Sequence, residues 1–412
     1  MWRRTVFRKF RNVTNTRETF YNYSAIARVL KKANVGDVAE GWVKNLRVQK
    51  ELIFADVNDG SSSKKLQIVI PKNLNTVSLT YGSSVHITGK LSKSPRGQLE
   101  LIADDVKVLG SCVVLDGYPF NPRTLHPPEY TRQYLHLRSR TNYAAAILRI
   151  RSAVTKHIHD YFISRNFINI NTPILTSNDC EGAGECFKVQ PDSEDTIKAM
   201  MQEGKDKDSV YFSSKTFLTV SGQLHLEAIC RGMGNVYTLG PTFRAENSRS
   251  RLHLSEFYML EAELAFCNNL EGIRDTEEGI NKEQELALVE YCNDTPVFIV
   301  RWPKDMKSFY MKECGPWAMP DILCYHSHDA LDLLTPITGE VVGGSLRQDN
   351  YDKLKSKLPS EHLNWYLELR KFGNIPTGGF GLGLERLLQV LCGISNIKDT
   401  LPFPRWPHNC DM

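Results

Sequence analysis

The sequence lacks several signatures that would assign a protein quickly to a class. Its ten cysteines include no CxxC pair, which argues against a zinc cage or a redox dithiol. No run of about 18 apolar residues occurs, so we expect no membrane-spanning helix and no membrane partner. The net charge is only +4 over 412 residues, which permits a polyanionic partner without requiring one. The cysteine pattern favours a reduced, intracellular protein. The length of 412 residues predicts two or three domains.

Common catalytic motifs are missing as well. There is no GxxxxGK[ST] loop, so any use of ATP must proceed without a Walker loop. No GxGxxG opens a βαβ unit, and neither a GxSxG elbow nor an HExxH zinc motif is present. Candidate catalytic and binding residues must therefore be sought outside these common motifs.

The N-terminal segment is rich in arginine and contains no acidic residue before Glu18. Aromatic and aliphatic residues are interleaved with its basic residues, which is typical of an organellar transit peptide. We therefore predict that residues 1–35 are a transit or basic extension. A basic tail that binds RNA is the alternative.

Residues 36–112 contain short runs of β-forming residues separated by turn signals. The predicted strands are Val38–Val48, Leu52–Val57, Leu66–Ile70, Val85–Gly89, Gln98–Ala103 and Val106–Leu109. So many strands in so short a segment predict a small β-barrel of OB type.

A proline-rich linker is predicted over residues 113–142, followed by an α+β domain over residues 143–412. Apolar residues recur at helical spacing between Ile147 and Phe162, and Phe167–Ile170 is the strand that follows. The polar segment Pro191–Ser209 is predicted to be a surface loop. Beyond Phe217, strand-like and helical stretches alternate, which predicts a large mixed or antiparallel sheet.

Two strand-like runs, Gly240–Glu246 and Phe257–Glu263, flank a polar loop. As a hairpin they would place Arg244, Glu246, Phe257 and Glu261 on one surface. Arginine suits a phosphate, a glutamate suits an ammonium or Mg²⁺, and an aromatic face suits a purine ring. A solvated hairpin with surface ion pairs is the alternative.

A glycine-rich strand, Gly378–Gly383, runs into an apolar helix that begins with Glu385 and Arg386. Glycines allow a flat ligand to approach closely. Arg386 in the first helical turn opposes the helix dipole and therefore requires an anion such as a phosphate. A tightly packed strand–helix joint is the alternative.

These two segments resemble motifs 2 and 3 of class II aminoacyl-tRNA synthetases, and Phe167–Pro173 resembles motif 1, which forms the dimer interface in that family. The asparaginyl branch of subclass IIb is the most similar. Its resemblance rests on the segments Glu181–Glu185, Thr219–Leu224, Gly339–Gly344 and Pro402–Arg405.

The resemblance implies ATP-dependent formation of asparaginyl-adenylate, transfer of asparagine to tRNA(Asn), a requirement for Mg²⁺, a homodimer and, with the basic N-terminus, the mitochondrial matrix. It implies catalytic roles for Arg244, Glu246 and Arg386. ATP would be bound by Arg244, His253, Phe257, Glu340 and Arg386, with Glu340 also holding the metal. Asparagine would be bound by Glu181, Ser221, Gln223, Glu261 and Arg347.

The choice of asparagine over aspartate is argued from three positions, Leu226, Glu261 and Arg347. Aspartyl enzymes place a lysine in the word Gln-Leu-x-Lys, whereas this chain has Leu226 there. Without that ammonium, the carboxylate of a bound aspartate would be under-compensated. Glu261 would repel aspartate and accept from the asparagine amide, and Arg347 would donate to the amide oxygen.

The barrel resembles the anticodon-binding domain of this subclass. The resemblance implies that Phe54 stacks on an anticodon base and that Arg47, Gln67 and Glu100 read base edges. Ordinary barrel core is the alternative for Phe54.

The chain also departs from the family pattern. Leu252 replaces the arginine that usually precedes the motif 2 histidine, and about two helices are missing near Asn268–Asn281 by comparison with the pattern. Three rival functions follow: a catalytically silent paralogue that binds RNA, a tRNA-independent ligase that makes asparagine, and an aspartyl or non-discriminating synthetase.

Overall fold

The protein is represented by a computed structural model. It describes residues 26–31, 38–74, 76, 78–121, 124–177, 186–204, 206–268, 282–303, 307–314, 318–319, 322–323 and 327–412. The chain forms two compact units, residues 1–146 and 147–412. The expected transit segment lies mostly outside the described residues, and so does nearly all of the region of the expected missing helices.

The first unit is built around a five-stranded barrel. In chain order it contains α1 (Ile26–Lys31), β1 (Val38–Val48), β2 (Leu52–Asn58), β3 (Leu66–Pro71), β4 (Ser84–Lys93), β5 (Leu99–Gly110), α2 (Pro128–Thr131) and α3 (Leu135–Arg138). The strands close in the order β1-β2-β3-β5-β4, with β3 and β5 parallel and the other pairs antiparallel. The predicted OB-type barrel is confirmed.

Alternating apolar residues explain why the barrel closes. Val43, Ala55, Ile68 and Val85 point inward and are fully buried, while the residues between them face outward. Each strand thereby contributes one row of apolar side chains to a single core, and its row of polar side chains lies on the outer surface.

One strand was predicted wrongly as two. Leu99–Ala103 and Val106–Leu109 belong to the continuous strand β5, whose pairing with β4 shifts register beside Gly89 and skips Asp104. Such a bulge lets a strand continue through a polar interruption. Gly89 is required there, since a Cβ on it would lie 2.0 Å from the carbonyl oxygen of Ile102.

The described residues of the predicted linker, 113–121 and 124–142, belong to the first unit. An aromatic cluster formed by Tyr118, Phe120, Tyr130 and Tyr134 holds this segment, with ring centroids 5.4–6.0 Å apart. Phe120 is fully buried. Prolines interrupt regular secondary structure in this segment, and packing between the aromatic rings holds it in place instead.

The second unit is an α+β layer structure built on a mixed sheet. Its helices are α4 (Asn142–Ser164, which begins in the first unit), α5 (Glu194–Met200), α6 (Gln223–Met233), α7 (Lys282–Tyr291), α8 (Tyr351–Lys357), α9 (Asn364–Glu368) and α10 (Leu384–Cys392). Its strands are β6 (Ile168–Asn169), β7 (Leu175–Thr176), β8 (Lys188–Val189), β9 (Thr216–Leu218), β10 (Val236–Phe243), β11 (Glu256–Ala265), β12 (Val297–Pro303), β13 (Glu313–Cys314), β14 (Ala318–Met319), β15 (Ile322–Leu323), β16 (Ser327–Thr335), β17 (Gly339–Leu346) and β18 (Thr377–Gly383).

The large sheet runs β12-β16-β17-β18-β11-β10-β6, with β13 paired to β16. Only the β10–β6 pair is parallel among the described pairs of this sheet. Phe162 of α4 stacks on Tyr237 of β10 at 4.7 Å, which fixes that helix on the sheet. The predicted sheet, hairpin and glycine-rich strand–helix joint are all present.

The predicted surface loop Pro191–Ser209 contains the helix α5. Ser193 caps it by accepting a hydrogen bond from the Thr196 amide at 3.2 Å, and Glu194 and Asp195 lie in its first turn. The segment is mostly exposed, as predicted, but the loop assignment was wrong over Glu194–Met200, where the polar composition concealed an N-cap signal.

Within the described ranges, no helix combines the length and the apolar character needed to span a bilayer.

Candidate active site

Two adjoining cavities open on one face of the large sheet, with volumes of about 220 and 240 Å³. We call them the first and the second cavity. Arg244, Met259, Glu340 and Gly381 line both, so the two spaces meet at these residues.

The sheet explains how the cavities form. Side chains two apart on a strand share a face, so β11 presents Phe257 and Met259 near the first cavity and Glu261 and Glu263 in the second. Opposite them, β18 contributes Gly381 beside Glu261. The glycine leaves the space that a side chain would otherwise fill.

The first cavity collects the residues predicted to bind ATP. It is lined by Arg244, Glu246, His253, Phe257, Glu340 and Arg386, together with apolar neighbours that include Leu252. The Arg244 guanidinium carbon lies 5.6 Å from the Phe257 ring centroid, and its Nη1 lies 3.8 Å from Glu246. The cavity thus offers cations, an aromatic face and a carboxylate to one ligand.

His253 lies at the rim of the first cavity. Its Nδ1 lies 2.6 Å from the Ser250 hydroxyl, and its Nε2 lies 3.8 Å from Glu246. Burial lowers the pKa of His253, Glu246 opposes that shift, and Arg386 adds to it. The ring is therefore neutral at pH 7 and can act as a hydrogen-bond partner without adding charge.

Arg386 joins α10 to β17. Its Nη1 donates to the backbone oxygen of Glu340 at 2.8 Å and lies 3.7 Å from that residue's carboxylate. Glu340 therefore compensates the positive charge of Arg386 at the start of α10 only in part, and the guanidinium can still pair with a stronger anion.

Asp332 was missed by the sequence analysis. A Cβ on Gly343 would lie 2.9 Å from a Glu340 carboxylate oxygen and 3.2 Å from one of Asp332, so both carboxylates flank this glycine. Burial raises the pKa of Asp332 to about 6, Glu340 adds to the shift, and Lys307 opposes it through a 2.7 Å ion pair. An aspartate inside the apolar run Ala330–Leu334 was the available signal.

This acidic pair tests the expectation of Mg²⁺. Mg²⁺ is commonly held by one or two carboxylates together with substrate phosphates. In the described part of the chain, no group of three or more metal-binding side chains occurs. Glu340 and Asp332 therefore fit a metal that shares its coordination with a polyphosphate.

The second cavity holds the described residues predicted to bind asparagine: Ser221, Gln223, Glu261 and Arg347. Glu181 lies outside the described residues. The Gln223 Nε2 donor is buried and has no partner among the described residues. A buried donor without a partner is costly, so this atom is suited to a ligand acceptor.

Glu261 is fixed at the start of α6. Its carboxylate accepts from the Gly222 amide at 2.9 and 3.1 Å and from the Ser221 hydroxyl. An anion at a helix N-terminus is stabilised by the amides and the dipole. Leu226 of the same helix lines the cavity and provides no cation.

Arg347 is fully buried and pairs with Glu263. Its Nε and Nη2 donate to the two carboxylate oxygens at 3.0 and 2.8 Å, and its Nη1 donates to Ser345 at 2.7 Å. Burial raises the pKa of Glu263 to about 7, against the pull of Arg347. Both oxygens accept guanidinium donors in the bidentate arrangement that a carboxylate forms best, so the geometry is that of an ion pair.

The predicted anticodon residues also lie together, on the outside of the barrel. The Arg47 guanidinium carbon lies 5.8 Å from the Phe54 ring centroid. Arg47 donates to Gln67 at 3.1 Å, and Gln67 donates to Glu100 at 3.0 Å. Four strands thus present one row of an aromatic and three polar side chains.

Comparisons with known proteins agree with both units. The model described as tRNA synthetases class II (D, K and N) matches residues 127–285 and 275–407. The model described as an OB-fold nucleic acid binding domain matches residues 38–109.

Among relatives, an asparaginyl-tRNA synthetase of Mus musculus is 40% identical, with 90% of each chain covered. A probable mitochondrial asparagine–tRNA ligase of Dictyostelium discoideum is 36% identical, covering 97% of this chain and 100% of that one. The asparaginyl-tRNA synthetase of Pyrococcus horikoshii, solved with asparaginyl-adenylate, is 26% identical with a TM-score of 0.74 over 95% of this chain and 100% of that chain.

The comparisons also bear on the expected missing helices. The mouse alignment extends over 447 positions, more than the 412 residues of this chain, and the synthetase model matches in two pieces that meet at residues 275–285. Both observations are consistent with a shortened segment at that place.

The buried ion pair between Arg151 and Glu385 generates a prediction. Arg151 lies 2.7 Å from Glu385, which also accepts from the Tyr258 amide at 3.0 Å and anchors the first turn of α10. Arg151→Met should lower the free energy of unfolding by about 3–5 kcal/mol, because it leaves a buried carboxylate without its cation. Chemical denaturation followed by circular dichroism measures the change.

The matched control is Lys156→Met on the same helix, whose partner Asp160 is exposed; it should leave stability nearly unchanged. Burial raises the pKa of Glu385, so protonation relieves the unpaired charge. The decrease in the free energy of unfolding caused by Arg151→Met should therefore become smaller as the pH falls from about 8 towards 5. If Arg151→Met loses no more stability than Lys156→Met does, the ion pair between Arg151 and Glu385 does not stabilise the fold.

Proposed function

Because the chain belongs to the class II tRNA synthetases and, within them, to the asparaginyl-tRNA synthetases, we propose that its two cavities activate asparagine with ATP and charge tRNA(Asn). The activity is that of an AMP-forming asparagine–tRNA ligase. The observation that carries the assignment of the site is that Arg244 and Glu340 line both cavities. A nucleotide and an amino acid bound in adjoining spaces would react at that junction.

Activation joins the two substrates at the junction. An oxygen of the asparagine carboxylate attacks the α-phosphorus, the bond to the bridging oxygen breaks, and pyrophosphate leaves. Arg244 reaches both cavities, so it can hold the carboxylate and the α-phosphate together and stabilise the charge that develops on the phosphoryl oxygens. The terminal ribose 3′-hydroxyl of the tRNA then attacks the carbonyl of the mixed anhydride and releases AMP.

The remaining first-cavity residues position the nucleotide. Phe257 offers an aromatic face to adenine, with Arg386 on the other face and near the γ-phosphate. His253 stands beside that phosphate, and Glu246 contacts the adenine or the acceptor end of the tRNA. Mg²⁺, held by Glu340 and Asp332, would neutralise phosphate charge.

The second cavity selects the amino acid. Ser221, Gln223 and Glu181 would hold the α-amino group. Arg347 would donate to the side-chain carbonyl, and Glu261 would accept from the side-chain amide. An aspartyl activity is disfavoured, because Leu226 supplies no cation to pair with a substrate carboxylate.

The row formed by Arg47, Phe54, Gln67 and Glu100 is proposed to bind the anticodon. Stacking on Phe54 would fix one base, and the polar neighbours would read base edges. Their mutual hydrogen bonds support this, because they hold the polar groups in fixed positions before a base arrives.

The protein is further proposed to be a homodimer through motif 1. Tyr161, Ile163, Ile174 and Leu175 are between 44% and 59% exposed in this region, which is unusual for a cluster of apolar residues. A second copy would cover them. Sedimentation velocity over a concentration series distinguishes the dimer from a monomer.

The mitochondrial matrix is the proposed location. Two relatives named as mitochondrial support it, from Dictyostelium discoideum and Schizosaccharomyces pombe, and so does the arginine-rich start of the sequence. Import of a fluorescent protein fused to residues 1–35 is the direct test, since failure to reach the matrix would remove the argument from the N-terminus.

ATP–pyrophosphate exchange tests the activation step. The purified protein should exchange with asparagine and much less with aspartate. Arg244→Lys should lower kcat/KM roughly 100-fold, because one ammonium cannot bridge two oxyanions as a guanidinium does. Folded protein without exchange for either amino acid would favour the catalytically silent paralogue; equal exchange would refute the specificity.

The barrel row gives an independent prediction. Phe54→Ala should raise the KM for tRNA(Asn) about tenfold, through the loss of one stacked base, and leave ATP–pyrophosphate exchange unchanged. Leu109→Ala, a change of an exposed apolar residue on β5, is the matched control and should alter neither. Equal effects of both variants on charging would show that Phe54 does not stack on a base.

A further inference from the structure

A cluster of buried charges lies beneath the second cavity. Glu227 of α6 is completely buried and does not line either cavity. Arg231 and Arg370 each place a guanidinium nitrogen 2.8 Å from its carboxylate. Tyr366 and Thr377 donate to the same carboxylate. A buried acid with this many donors is held in its charged form.

The pKa of Glu227 agrees with this geometry. Burial alone would raise it, but Arg370 and Arg231 outweigh burial, and the net shift is downward. Glu227 also contributes to the raised pKa values of Arg347 and Glu263, so its charge is felt at the pair that lines the second cavity.

The cluster is connected to the cavity wall by backbone contacts. Arg347 donates its amide to the Thr377 carbonyl at 2.9 Å, and Thr377 in turn donates its hydroxyl to Glu227 at 3.2 Å. Arg370 donates to the carbonyl of Gln348, the next residue after Arg347, at 2.9 Å. Glu227 is therefore one residue removed from the group proposed to bind the substrate side chain.

The described charges in this part of the molecule balance. Three carboxylates, Glu227, Glu261 and Glu263, accompany three guanidiniums, Arg231, Arg347 and Arg370. The other charged residues that line the second cavity are Arg244, Lys307, Asp332 and Glu340. They belong to the side that meets the first cavity, where phosphates and a metal would add their own charges.

We propose that Glu227 determines the preference for asparagine over aspartate by completing this charge balance, although it does not contact the substrate. With the cluster neutral, an amide side chain adds no charge, whereas a carboxylate adds an uncompensated negative charge in a buried place. The inference rests on the proposed function and adds a specificity-determining residue to it.

A charge cycle in ATP–pyrophosphate exchange tests the inference. The quantity measured is the ratio of kcat/KM for asparagine to that for aspartate. Glu227→Gln leaves one excess positive charge and should lower the ratio about tenfold, or about 1.4 kcal/mol. Arg231→Gln leaves one excess negative charge and should raise it. The double variant restores the balance and should return the ratio towards that of the wild type.

Tyr366→Phe is the matched control, because it removes a hydrogen bond to Glu227 without changing any charge; its ratio should stay near that of the wild type. Thermal unfolding shows which variants are folded. If Glu227→Gln does not fold, the opposite shift in Arg231→Gln still decides the question. A merely structural cluster would instead lower both activities together and leave their ratio near that of the wild type in every variant.

The outcomes separate two failures. No exchange by the wild-type protein would overturn the proposed function and the inference with it. Normal exchange by the wild type, with a ratio that does not follow the sign of the charge change, would overturn the inference alone.

Discussion

The second unit depends on the pairing of charges that its sheet buries. Glu227, Glu263 and Glu385 are almost entirely removed from solvent, and each lies against an arginine. An unpaired charge in such a place costs several kcal/mol, so each pair restricts where its strands and helices can lie. Glu385 lines the first cavity, and Glu263 and Arg347 line the second, so residues that stabilise the fold also fix the geometry of the site.

In this arrangement the sheet provides two adjoining cavities, one for each small-molecule substrate of the proposed reaction. Sites on a sheet are more rigid than sites on loops, and β11 and β17 each supply side chains to both cavities. Arg244 follows directly after β10 and reaches the junction between them. Little covalent chemistry is required of the protein in a phosphoryl-activation step, so rigid positioning and preorganised charge are what such a site must provide.

The barrel of the first unit is organised differently from the second unit. Its core is apolar, and the row proposed to bind the anticodon lies on the outer surface, where Arg47 donates to Gln67 and Gln67 donates to Glu100. A surface of this kind can exchange those partners for base edges without exposing the core. Recognition of tRNA and activation of asparagine therefore place separate demands on the sequence.

The sequence by itself determined the barrel, the β10–β11 hairpin and the joint from β18 to α10, because these follow from local alternation, turn residues and motif spacing. It also identified Arg244, Phe257 and Arg386, which lie within those motifs. Only the tertiary structure revealed Asp332 beside Glu340 and Glu227 beneath Arg347. Glu227 meets Arg370 and Tyr366, which are distant in the chain, and Asp332 comes beside Glu340 only when β16 pairs with β17. Local alternation does not record which buried charges meet when the sheet and helices pack.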